Sequence, residues 1–205
     1  MPATPVDALA EIVTPLLDGR RVIIGIAGPP GAGKSTLAAD LVRCLADRRA
    51  VAVPLDGFHL ANEELARLGM AHVKGAPETF DAWGFVHLLR RLRAGEELVY
   101  APTFKRELEE AINAAIPVPV ETELVVVEGN YLLLPEPPWS LGRPLFDLAV
   151  YLDVPAAVRV PRLLARAREG GRDEAAAHDW VFRNDEANAR RIAPSRDRAD
   201  VVLTG

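Results

Sequence analysis

Residues 28–35 read Gly28-Pro-Pro-Gly31-Ala32-Gly33-Lys34-Ser35, followed by Thr36. This G-x-x-x-x-G-K-[ST] spacing constrains the fold more than any other feature of the chain. Glycines let a backbone wrap closely around phosphate oxygens and turn its N–H groups inward. A helix opening at Lys34 aims its positive dipole end at the same anions. The Lys34 ammonium can reach β- and γ-phosphates, and the Ser35 hydroxyl can ligate Mg²⁺. With glycine at about 7% of residues, a chance match in a chain of this length arises in roughly 1% of cases. Position strengthens the reading over that of a flexible glycine turn. An apolar, β-branched run at 21–27 precedes the motif, and an Ala/Leu-rich helix at 34–48 follows it.

The remainder of the chain repeats this alternation. Apolar runs at 50–56, 124–129, 146–154 and 199–205 read as buried strands, with VYAP at 99–102 as a shorter one. Helices are predicted over 4–13, 60–68, 82–94, 155–169 and 174–192. Thr4 and Asp81 are caps for two of them, Pro15 ends the first, and Gly95 terminates 82–94. Segments 72–80 and 135–144 read as loops, and 103–123, with Pro117 and Pro119, fits neither template. Continuous apolar strands between helices predict an α/β three-layer sandwich, a mostly parallel sheet covered on both faces. Its 205 residues form one domain, 1–205, able to bury about 70% of the unfolded surface.

Composition excludes several classes. The net charge of −5 argues against a general nucleic-acid binder, and 6% aromatic content is too sparse for a base-stacking platform. The single cysteine, Cys44, rules out an internal disulfide framework and a cysteine-built zinc cage, and reads as a small buried hydrophobe. No apolar run approaches the ~20 residues that span a bilayer, and MPATPVDALAEIV lacks the marks of a secretory signal. A cytoplasmic protein without nucleic-acid or membrane partners is expected. A homo-oligomer is compatible with the sequence, which carries no signal either way. Trp83, Trp139 and Trp180 read as core or loop anchors, and Arg90, Arg91 and Arg93 as the wet side of a surface helix.

Four further segments carry a resemblance: PLDGFHL (54–60), KGAPETFD (74–81), VVVEGNYLL (125–133) and RLLARAREGGR (162–172). With the phosphate-binding turn at 28–36 and the terminal ADVVLTG, they resemble the uridine kinase, pantothenate kinase and phosphoribulokinase group of P-loop small-molecule kinases. The likeness covers nearly the whole chain and is greatest to a pantothenate-kinase-like and sugar-kinase-like branch. It implies the P-loop NTPase fold with a small helical lid at about 162–173. It also implies ATP and Mg²⁺ as cofactors, with Gly28, Gly31, Ala32, Gly33, Lys34, Ser35 and Thr36 around the phosphates.

The residues themselves agree with that chemistry. Asp56 ends the second strand, where doubly wound sheets bind ligands. A carboxylate there can take the proton of an acceptor hydroxyl or hold Mg²⁺ through water, and the matching aspartate of the family is regarded as the catalytic base. Asp-Gly is equally a common turn pair. Glu128 is a lone acid after four apolar strand residues, costly to bury without a cation; the resemblance implies that it helps hold the metal, directly or through water, and the alternative is a strand-end glutamate reaching solvent. Of Arg162, Arg166, Arg168 and Arg172, the family implies that lid arginines neutralise the transferring phosphoryl group, and Arg166 and Arg172 are the preferred pair. The alternative is a solvated basic face. The adjoining Gly170-Gly171 reads as a hinge. His59, Lys74, Arg106 and Tyr131 are candidate acceptor contacts, with a structural role open for His59 and simple packing open for Tyr131. Relatives often read F-D-R where this chain has Phe104-Lys105-Arg106; Lys105 then reads either as favouring a more anionic acceptor or as an exposed lysine near the pocket rim.

The expected activity is therefore ATP-dependent transfer of a phosphoryl group to a hydroxyl of a sugar, a nucleoside or a pantothenate-like alcohol. The alternatives are a nucleotide hydrolase or a nucleotide-binding regulatory protein. No N-K-x-D guanine-reading signature occurs in the chain.

Overall fold

The computed structural model describes residues 4–205. In chain order the strands are β1 (Val22–Ala27), β2 (Ala50–Pro54), β3 (Leu98–Lys105), β4 (Glu110–Pro119), β5 (Leu124–Glu128), β6 (Leu148–Asp153) and β7 (Val201–Thr204). The helices are α1 (Pro5–Val13), α2 (Lys34–Cys44), α3 (Asn62–Arg67), α4 (Ala82–Ala94), α5 (Ala156–Glu169), α6 (Glu174–Trp180) and α7 (Glu186–Ile192). Five strands form one sheet in the order β2-β5-β1-β6-β7, and every pairing in it is parallel.

Alternation along the strands divides the core in two. Ile23, Val125, Val127, Ala149 and Tyr151 face one side, with Phe85, Leu89 and Leu92 of α4 and Ile192 of α7. Val22, Ile24, Ile26, Val126 and Val150 face the other, with Leu9 and Val13 of α1 and Leu37 and Leu41 of α2. Each fully buried aliphatic side chain contributes about 1.5–3 kcal/mol. A one-residue slip would exchange the two faces, so burial on both sides fixes the register. That register sets Glu128 opposite Ile26 on one side and Pro54 on the other. The segments that follow β1, β2 and β5 therefore emerge side by side.

Local chemistry sets the helix ends. Thr4 and Asp7 form a reciprocal capping box on α1. Asp81 accepts the Gly84 N–H at 2.8 Å to start α4, and Gly95 ends it at φ 68°.

The structure differs from the sequence reading in several places. Residues 98–119 form an antiparallel hairpin, β3 with β4, whose Val99, Ala101 and Val118 complete the core beside α4. The predicted helix over 34–48 stops at Cys44, which is exposed and not buried. The strand predicted to 56 ends at Pro54, so Asp56 lies in a 3₁₀ turn, Leu55–Phe58, and not on the strand. The helix expected over 174–192 is interrupted by a π-helical turn at Val181–Asp185. Trp139 is buried, whereas Trp83 is 54% exposed and is not a core residue. Arg93 is half-buried, pairing with Asp147 at 2.7 Å, and is not part of a wet face with Arg90 and Arg91.

Candidate active site

A cleft of about 810 Å³ opens over the carboxyl ends of β1, β2 and β5. Its floor is the glycine turn. Gly31 and Gly33 have φ of 76° and 93°, conformations that favour glycine. A Cβ on Gly31 would come within 2.9 Å of Leu163 and 3.0 Å of the Arg159 carbonyl, so the loop packs directly on α5. No side chain caps α2. Its first-turn N–H groups have no intrahelical acceptor and form an anion site with the dipole. Gly31, Gly33, Lys34, Ser35 and Thr36 line the cleft. Gly28 and Ala32 do not line it: Gly28 is packed against the Leu152 carbonyl, and the Ala32 N–H donates to the Pro29 carbonyl at 3.2 Å. These two shape the turn from behind.

Lys34 is buried. Its Nζ donates to Asn130 Oδ1 at 2.7 Å and to the Pro29 carbonyl at 3.1 Å. Burial lowers its pKa, opposed by the nearby charges of Glu128 and Asp56. The Ser35 hydroxyl donates to Glu128 Oε1 at 2.9 Å. Burial, reinforced by the Asp56 charge, pushes the Glu128 carboxyl up to about 7. A buried carboxylate beside a hydroxyl, with a second carboxylate close by, is a hard oxygen donor set. Mg²⁺ suits it, since that ion takes one or two protein oxygens and completes its shell with phosphates and water. Among the described residues no group of three or more His, Cys, Asp and Glu forms a cage for a metal.

The side of the cleft away from the glycine turn holds Asp56, His59, Asn62, Lys74, Phe104 and Arg106. The Arg106 guanidinium stands 3.9 Å from Asp56 Oδ2. His59 Nδ1 donates to the Asp56 carbonyl at 2.8 Å, and its ring lies between Phe80 and Phe104, at centroid distances of 4.0 and 5.0 Å. Burial lowers the His59 pKa, which favours a neutral ring. Lys74 Nζ donates to Asn62 Oδ1 at 2.7 Å and to the Glu109 carbonyl at 2.6 Å, tying the hairpin tip to α3.

For two residues the geometry favours the structural alternative. Tyr131 is fully buried and does not line the cleft; its hydroxyl donates to the Gly75 carbonyl, so it supports the wall from behind. Lys105 is exposed on β3 opposite Glu110 and outside the cleft, which removes the ground for reading acceptor charge from it.

Of the four arginines, Arg162, Arg166 and Arg172 line the cleft, and Arg168 points away beside Glu174. Arg162 Nη1 donates to the Gly31 carbonyl at 3.4 Å. Arg166 faces Asp185 at 3.7 Å, and Arg172 stacks on the Trp180 ring at 4.2 Å. Sequence reasoning missed Asn184, Asp185 and Asn188, which enter the cleft from the π turn and α7. The only available signal was the i, i+4 pair of asparagines on a segment read as helix. Burial raises the pKa of Asp185, opposed by Arg166 and Arg172.

A glycine turn at the end of β1, a buried lysine, a Ser–Glu pair and cleft-lining arginines on a parallel sheet define a P-loop kinase. The comparisons agree. The model of the Phosphoribulokinase / Uridine kinase family matches residues 23–204. A Schizosaccharomyces pombe protein named "Putative uridine kinase C227.14" is 35% identical, covering 90% of this chain and 83% of the relative. "Pantothenate kinase" of Limosilactobacillus fermentum is 32% identical, covering 88% of this chain and 67% of the relative. Among solved structures, a "putative fructose transport system kinase" from Silicibacter sp. TM1040 is 39% identical with a TM-score of 0.89, covering 98% of this chain and 99% of that one. The chain belongs to the phosphoribulokinase/uridine kinase family and is a small-molecule kinase with the α/β P-loop fold. No helix among the described residues is long and apolar enough to cross a membrane.

Proposed function

We propose that this kinase moves the γ-phosphoryl group of ATP to a hydroxyl of a small polyol, a sugar in the first instance, with Asp56 as base. One observation carries the reading: the Asp56 carboxylate opens into the same cleft as the glycine turn, Lys34 and the Ser35–Glu128 pair. The resemblance to a protein named as a sugar-system kinase supports the acceptor class. So does a lining of amide side chains and carboxylates around the aromatic rings of Phe80 and Phe104. We read its compartment as the cytoplasm.

The acceptor oxygen bonds to the γ-phosphorus as the bond to the β-phosphate oxygen breaks. Asp56 accepts the proton that the hydroxyl loses, and ADP leaves. Lys34, held by Asn130 and the Pro29 carbonyl, sits ready for the β- and γ-phosphates. Ser35 and Glu128 would hold Mg²⁺, which neutralises phosphate charge when bound. Arg162, Arg166 and Arg172 supply further positive charge over the transferring group from α5 and the turn after it, where Gly170 and Gly171 give a hinge for a lid over 162–173. His59, Lys74 and Arg106 shape the acceptor side. Most of the rate enhancement comes from alignment and fixed charge.

The test is ADP release from Mg·ATP with a panel of sugars, nucleosides, pantothenate and no acceptor. A sugar that raises turnover at least a hundredfold over the blank supports the proposal. Equal turnover with and without every acceptor contradicts it and indicates a hydrolase.

A further inference from the structure

We infer that Arg159 is a positioning residue that locks the phosphate-binding turn to the base of the arginine-bearing helix α5, an inference that rests on the ATP reading above. Arg159 is only 5% exposed, and neither it nor Glu186 lines the cleft. Its Nε donates to the Val154 carbonyl at 2.9 Å, just past the end of β6. Its Nη1 donates to the Pro30 carbonyl at 3.1 Å and to Glu186 Oε1 at 2.8 Å. One planar group thus joins the carboxyl end of β6, the glycine turn and α7. A lysine could keep the charge but has no rigid fork to span these three acceptors.

A buried Arg–Glu pair is seldom more stabilising than apolar side chains of the same shape. What this one does is fix relative positions. Arg162 and Arg166 follow at three and seven residues, on the same helical face as Arg159. Arg162 grips the next loop residue, through the Gly31 carbonyl at 3.4 Å. Asp185, adjacent to Glu186, faces Arg166 at 3.7 Å. Consecutive acids at the end of the π turn and the start of α7 therefore hold α5 at two points about two turns apart, one buried at Arg159 and one at the cleft. The contact between Gly31 and α5 leaves no room for a Cβ, so a shift of α5 is transmitted to the turn.

The test uses the double variant Arg159→Met/Glu186→Gln, which replaces the pair by neutral side chains of similar shape. Amide hydrogen exchange over residues 31–36 is followed in the nucleotide-free protein, and Mg·ATP affinity is measured by titration. The expected result is at least tenfold faster exchange over 31–36 with exchange in β5 unchanged, and at least tenfold weaker ATP binding. Arg159→Lys is expected to fall between wild type and double variant, and it carries the same test should the double variant not fold. Wild-type exchange over 31–36 in the variant overturns the inference. Faster exchange in a protein whose wild type binds no ATP leaves the lock standing and refutes the nucleotide reading instead.

Discussion

The Ser35 hydroxyl donates to Glu128 Oε1 across 2.9 Å, joining residues 93 positions apart in the chain. The bond ties the first turn of α2 to the last residue of β5. It is a direct consequence of the parallel register, in which Glu128 stands opposite Ile26, two residues before the glycine turn begins. A strand register fixed by apolar burial thereby sets the distance between a hydroxyl and a carboxylate.

That burial gives Glu128 a pH signature. Its carboxyl is held up to about 7 in the folded protein, against about 4.3 in an unfolded chain. Between these values the folded state keeps a proton that the unfolded state has lost. Its contribution to stability is therefore full below about pH 4 and is lost as pH rises through 7. Asp185 shifts in the same direction but is common to both proteins compared. Thermal melts without Mg²⁺ should show Glu128→Gln melting above wild type at pH 8, with the gap closing toward pH 4. A gap that is constant with pH would contradict this.

Gly31 tests the loop. Its φ of 76° disfavours any other residue, and an added Cβ meets Leu163 and the Arg159 carbonyl. Gly31→Ala should cost about 1–3 kcal/mol through backbone strain and weaken ATP binding at least tenfold. Urea unfolding and an ATP titration would measure both. An unchanged affinity would mean that the loop tolerates displacement.

The arginines separate by direction. Arg166 lines the cleft and Arg168 faces outward beside Glu174. Removing a group that stabilises transition-state charge costs about 10²–10³ in kcat. Arg166→Ala should show such a loss, and Arg168→Ala should stay within about twofold of wild type. Equal effects would remove Arg166 from the mechanism.

Much of this was legible in the sequence for physical reasons. The strands at 22–27, 124–128 and 148–153 are buried on both faces, so they read as uninterrupted apolar runs. The glycine turn is local, since its chemistry depends on neighbours in the chain. Of the hairpin only the start of β3, VYAP at 99–102, was legible. β4 reads Glu-Ala-Ile-Asn-Ala-Ala-Ile-Pro-Val-Pro, with small residues and two prolines that only an edge strand accepts. Arg159 was missed because its three acceptors, on Val154, Pro30 and Glu186, converge only in the folded chain. Tyr131 was open between pocket and core, and nothing in Glu-Gly-Asn-Tyr states which way the ring turns. Asn184 and Asp185 enter the cleft from a π turn that has no sequence signature, and Asn188 from the helix that follows it.

The most direct test of the account is the acceptor-dependent rate of Asp56→Asn beside its affinity for Mg·ATP. General-base catalysis contributes about 10²–10⁴ in rate. The account predicts a fall of that size in acceptor-dependent turnover, with ATP affinity within about threefold of wild type. Acceptor-dependent turnover that survives the substitution undiminished would contradict it.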